Sequence, residues 1–227
     1  MNEETLFKES SIPLDKKLDN FPIFVRRQSI ARFIALYELF KKIINIKGSI
    51  IECGVHIGGL MAFAKLSANL EPMAIHRKII GFDTFEGFPS VSEKDGNIPK
   101  DFKEDSDTFG ELLKAIEVYD NNRFLSQFPK VELIKGDASK TIPEYVKNNS
   151  HLVVALLFLD FDLYEPTKVA LEYFLPRIPK GGIIAFDELN NEFWKGETIA
   201  ALEVLKSFNS YKIEKFYFDP NIAFIQI

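Results

Sequence analysis

A mostly parallel α/β sheet, covered by helices on both faces and ending in one antiparallel hairpin, is the fold this sequence predicts. Two observations predict it. Short apolar runs alternate with stretches long enough for crossover helices. The last two runs, in FYFDPNIAFIQI, are separated only by Asp219, Pro220 and Asn221, too short for a crossover, so they pair as a hairpin. At 227 residues the chain suits one domain with a full core.

Residues 1–20 are polar and read as a loose arm or lid. From Ile23 to Ile46, the residues Ile30, Phe33, Ile34, Tyr37, Phe40 and Ile44 recur at three- and four-residue steps, predicting an amphipathic helix with this stripe packed on the domain. Residues 1–47 are thus an N-terminal arm and helix, a lid or a homo-oligomer interface, and residues 48–227 carry the sheet. Strands are expected at Gly48 to Cys53, Lys78 to Phe82, Val131 to Ile134, Val153 to Leu159, Gly182 to Phe186, Ile213 to Phe218 and Ile222 to Ile227. Glu86 to Gly110 is rich in charges and breakers, and a segment of that length inside a compact domain is expected to be a substrate-covering lid or a plain surface loop.

Composition narrows the partners. The 28 Lys+Arg against 33 Asp+Glu leave a net charge of -5, which offers no general attraction to nucleic acid or an anionic membrane. No apolar stretch reaches the ~18 to 20 residues of a membrane span. One cysteine, Cys53, makes no internal disulfide, and the opening MNEETLFKES lacks a secretion signal, so a cytoplasmic location and a small-molecule partner are expected.

Ligands of open α/β sheets bind beyond the carboxyl ends of the strands, so the strand ends are read together. The first ends in Glu52 and then Gly54, Gly58 and Gly59, where glycines let the chain turn and a ligand approach. GVHIGG does not fit the G-x-G-x-x-G dinucleotide fingerprint, which favours an uncharged nucleoside over a pyrophosphate. His56 lies in this turn and could line the pocket. Asp83 ends the second strand, where an acid commonly takes ribose hydroxyls, and Asp137 ends the third. Each acid alone reads as a solvated strand end; three in register do not.

The fourth strand ends in Asp160 and Asp162, and the fifth in Asp187 and Glu188. Carboxylates brought this close repel unless a cation lies between them, and an all-oxygen set suits Mg²⁺, Ca²⁺ or Mn²⁺.

The blocks GVHIGG after Glu52, FDTFEGFP, FLDFDLYEPTKVALEYFLPRIPKGG and FDE resemble the macrocin O-methyltransferase family, over roughly Ser49 to Leu205. The resemblance implies a class I methyltransferase (Rossmann-like) fold of seven strands and, over residues 48–227, an S-adenosylmethionine site. It implies methyl transfer to a sugar hydroxyl, the sugar being free, nucleotide-linked or in a glycoconjugate. By the same resemblance, Glu52, Gly54 and Gly58 hold the methionine end, Asp83 the ribose, and Asp137 with Ala138 the adenine side. Val55, His56, Thr84, Phe85, Gly136 and Asp160 complete the cofactor site. Asp160, Asp187 and Glu188 would hold Mg²⁺ or another divalent cation, with Asp162 as base. Glu188 stands where the family usually has aspartate, and Phe161 where it commonly has glycine. A catechol-like O-methyltransferase and a non-catalytic binding protein on the same fold are the alternatives.

Overall fold

A computed structural model of the chain describes residues 2–98, 106–208 and 210–227. The N-terminal segment is not a loose arm. It forms two short helices, α1 (Glu3–Glu9) and α2 (Leu14–Asp19), started by Asn2, whose side chain accepts from the Thr5 amide. They are tied down where the Phe7 ring meets Phe24 edge-on at 5.5 Å and the Lys17 ammonium reaches the Phe7 carbonyl.

Next comes α3 (Arg27–Ile43). Its buried face is Ala35, Leu36, Leu39, Phe40 and Ile43, and Phe33 and Ile34 of the expected stripe are exposed. The helix is apolar on more than one side, so periodicity alone does not choose a face; packing on the sheet does. Because that face enters the same core as the strands, α3 is one of the covering helices and not a separate lid. Arg77 holds its end, donating to the carbonyls of Ile43, Ile46 and Gly48 at 3.1, 2.9 and 2.9 Å.

The strands are β1 (Ser49–Cys53), β2 (Ile79–Asp83), β3 (Val131–Lys135), β4 (Val154–Leu159), β5 (Ile183–Phe186), β6 (Glu214–Lys215) and β7 (Ala223–Gln226). They form one seven-stranded sheet in the order β3-β2-β1-β4-β5-β7-β6. The first five are parallel, and β7 runs antiparallel to both β5 and β6. The expected strand Ile213 to Phe218 shortens to two residues. Phe216 and Phe218 stack at 5.4 Å, and Phe216 also stacks on Phe224 at 5.1 Å, so ring packing replaces the ladder there. Asp219 closes the turn by accepting from the amides of Asn221 and Ile222.

The remaining helices are α4 (Leu60–Leu70), α5 (Thr108–Asp120), α6 (Ala138–Asn148), α7 (Tyr164–Phe174) and α8 (Lys195–Leu205). One core lies between the sheet and α3, α4 and α5; the other lies between the sheet and α6, α7 and α8. Along β4, Leu156 and Phe158 enter the first core and Leu157 and Leu159 the second. A strand covered on both faces has no polar side, and this is why its sequence is an unbroken apolar run. Among the described residues no helix is long and apolar enough to cross a membrane.

The Glu86 to Gly110 segment is in part helical. A 3₁₀ turn covers Glu93–Asp95 and α5 begins at Thr108, while residues 99–105 lie outside the described residues.

Candidate active site

Strand order reverses between β1 and β4, whose parallel neighbours then run outward in opposite directions, so a crevice opens where their two chains part. The two exits nearly touch. The Asp160 amide donates to the Cys53 carbonyl at 2.7 Å, and a Cβ on Gly54 would overlap the Asp160 carbonyl oxygen. Gly54 also has φ 91°, so both space and backbone conformation require glycine here.

A cavity of about 280 Å³ lies over these exits. Gly54, His56, Asp83, Thr84, Phe85, Gly136, Ala138, Asp160 and Asp162 line it, joining residues expected on both the donor and the acceptor side. Phe161, at the site's edge as expected, joins Phe88, Pro89 and Trp194, which the strand-end reading did not contain, in an apolar wall. Phe88 and Trp194 meet edge-on with ring centroids 6.0 Å apart.

The other expected residues support the cavity from behind. Asp83 accepts from the amides of Val55, His56 and Phe85 at 2.7, 2.8 and 2.7 Å, which holds the glycine turn against β2. Val55 is buried. A Cβ on Gly58 would run into the Leu112 side chain. Asp137 starts α6 by accepting from the Ser139 amide at 3.0 Å and pairs with Lys140 at 3.0 Å; against its partial burial, these contacts keep its carboxyl below the usual range. Glu52 is 2% exposed and packs behind Gly59. Among the described residues its Oε2 has no hydrogen-bond partner, and burial, reinforced by Asp187 and Asp83 against the opposing Arg32, pushes its carboxyl up to about 8.

Burial also raises Asp162 to about 7, with Glu188 and Asp187 adding to it. Asp160 is raised by burial and by the neighbouring Asp187 charge, and Glu188 by burial. The carboxylates at the β4 and β5 exits do converge, and the cation between them is a side chain. Arg32 of α3 donates from Nη2 to Asp160 Oδ2 at 2.8 Å and from Nη1 to Asp187 Oδ1 at 2.5 Å. Burial opposes its charge, but Asp187 and Asp160 outweigh that and hold the guanidinium protonated.

Glu188 does not complete a triad of acids. Its Oε2 accepts from the Asn191 side-chain amide, and its backbone N–H donates to Glu197 Oε1 at 2.9 Å. Among the described residues no group of three His, Cys, Asp or Glu side chains stands where it could hold a metal. As arranged, the donor set expected for a divalent ion does not fit one.

Besides the wall residues Phe88, Pro89 and Trp194, sequence reasoning missed two charged residues behind the cavity, Arg32 and Glu197. Arg32 had a signal: it lies three, four and seven residues before the buried Ala35, Leu36 and Leu39, so a charge occupies a core-facing position. Glu197, fully buried in the first turn of α8, carries no such signal, because acids are common at helix starts.

The macrocin-O-methyltransferase (TylF) family model matches residues 28–208. The chain is 33% identical to calicheamicin methyltransferase CalS11 over 99% of this chain and 89% of that one, with a TM-score of 0.93. A ligand-free structure of CalS11, described as a TDP-rhamnose 3'-O-methyltransferase, gives 32% identity over 99% and 91% of the two chains and a TM-score of 0.86. A rhamnosyl-tetracenomycin-C 4'-O-methyltransferase from Streptomyces olivaceus is 27% identical over 146 residues, which is 63% of this chain and about half, 54%, of that enzyme. The O-methyltransferase NovP, at 20% identity over 87% of this chain and 79% of its own with a TM-score of 0.61, shares the fold.

Proposed function

Because the chain belongs to the macrocin O-methyltransferase family, we propose that it transfers a methyl group from S-adenosylmethionine to a hydroxyl of a sugar. One observation carries the reading: a single cavity at the β1/β4 crevice is lined both by the glycine turn with Asp83 and Ala138 and by Asp160 with Asp162. Donor and acceptor can therefore meet there without a domain having to move. Positioning two substrates on rigid strand ends supplies much of the acceleration of such a transfer.

In this scheme the donor lies along Gly54 and the turn after it, its ribose towards Asp83 and its adenine towards Gly136 and Ala138. Acids at the crevice complement the positive sulfonium. The acceptor lies between Asp162 and the wall of Phe88, Phe161 and Trp194, whose rings suit the apolar face of a sugar. Asp162, poised near neutrality, accepts the hydroxyl proton as the acceptor oxygen forms its bond to the methyl carbon. The sulfur–carbon bond breaks with its electron pair remaining on sulfur, which leaves S-adenosylhomocysteine. No step passes through a magnesium ion, because Arg32 fills the place between Asp160 and Asp187. A deoxysugar such as rhamnose, linked to a nucleotide or to a larger product, is the acceptor class that the described activities of the relatives favour.

Calorimetric titration with S-adenosylmethionine and S-adenosylhomocysteine, followed by mass spectrometry of an acceptor panel, tests this. Saturable binding and a gain of one methyl on TDP-rhamnose or a rhamnoside are expected. Absence of binding would sink the reading, and methylation of catechols instead of sugars would replace its acceptor.

A further inference from the structure

We propose that the positive charge joining the β4 and β5 exits is built into this chain as Arg32, which takes the place of a divalent ion and keeps one out. The inference rests on the methyltransferase reading above. Its foundation is the guanidinium held by Asp160 Oδ2 at 2.8 Å and Asp187 Oδ1 at 2.5 Å, contacts that close over 128 and 155 residues of sequence. These are the two carboxylates that a metal would need most. Their mutual repulsion is the reason a cation belongs there, and a guanidinium meets that need with directed N–H donors in place of coordination.

Three further observations fix the arginine as resident. It is carried by α3, whose next turns bury Ala35, Leu36 and Leu39 in the core, so its backbone is anchored and not on a loose arm. Its guanidinium carbon lies over the Phe158 ring, 5.6 Å from the centroid, a cation–π contact. Glu188, the acid that would be the third ligand, is turned to Asn191. Arg32 does not line the cavity, so its part is positioning: it fixes the Asp160 and Asp187 carboxylates beside Asp162 and offsets their charge.

The test reads metal binding directly. Mn²⁺ is titrated into the full chain saturated with S-adenosylhomocysteine and followed by electron paramagnetic resonance, for the parent and for Arg32→Met, which keeps length and packing but not charge. The parent is expected to leave Mn²⁺ free up to about 1 mM, and the variant to sequester it at the two carboxylates left without a counter-charge. Stoichiometric binding by the parent overturns the proposal whether or not the variant folds. A folded variant that leaves Mn²⁺ as free as the parent does overturns the claim that Arg32 is what excludes it. Where an acceptor from the panel is turned over, activity surviving chelator treatment is the matching result, and loss on chelation restored by Mg²⁺ is the opposing one. Failure of S-adenosylhomocysteine to bind at all would instead be a failure of the methyltransferase reading.

Discussion

At the scale of single residues the site is governed by how each acid is compensated. Asp83 is engaged by three amides, Asp137 by an amide and a lysine, and Asp160 and Asp187 by Arg32. Asp162 differs: burial, then Glu188 and Asp187, raise it to about 7, and it lines the cavity at φ 64° in left-handed backbone. A carboxylate so placed can take a proton near neutral pH, whereas an ordinary aspartate is too weak a base. Since the base acts deprotonated, kcat is expected to rise with pH through an inflection near 7. Asp162→Asn should lower kcat by roughly 10² to 10⁴-fold and flatten that limb while leaving S-adenosylhomocysteine affinity nearly unchanged. A variant that keeps the same inflection would move the role of base to another group.

Among elements, the first turn of α7 shows how the long connection after β2 serves the site. α7 has no side-chain cap of its own. Asp95, 1% exposed, supplies one from 69 residues away by accepting from the Tyr164 amide at 2.6 Å, while its other oxygen accepts from Ser92 N and Oγ at 2.6 and 2.7 Å. The same connection carries Phe88 and Pro89 of the cavity wall, so cap and wall are one unit. Asp95→Ala is expected to cost about 1 to 2 kcal/mol in denaturant unfolding and to speed hydrogen exchange at residues 86–98 and at the Tyr164 amide. Unchanged exchange there would mean that the segment is held by other contacts. This cap was invisible in the sequence, where Glu86 to Gly110 reads as charges and breakers. The strands were legible because burial on both faces leaves an unbroken apolar run, as in Val154 to Leu159, and the strand-end acids because they follow such runs directly. What stayed hidden were pairings that only the fold brings together: Arg32 with Asp160 and Asp187, Glu197 with the Glu188 amide, and the buried face of α3, because apolar residues such as Phe33 and Ile34 lie outside it as well.

For the whole molecule, a site sunk into the end of a two-sided core has a thermodynamic consequence. Glu52 lies between Ile51 and Cys53 in a central strand, fully enclosed, with one oxygen unpartnered, and its carboxyl is pushed up to about 8 from an ordinary 4.5. Asp160, Asp162, Glu188 and Glu197 shift in the same direction, burial being the largest cause in each. Between pH 4.5 and 8 folded Glu52 keeps its proton while the unfolded chain has released it, so the folded state binds more protons and stability falls as pH rises across that window. The contribution of this one side chain is on the order of a few kcal/mol. Glu52→Gln fixes the neutral form at nearly the same shape, so the variant should lose less stability than the parent between pH 5 and pH 8, by roughly 1 to 3 kcal/mol. Guanidinium unfolding of both proteins at the two pH values measures the difference, and an equal loss in parent and variant would show that Glu52 is ionised in the folded protein throughout.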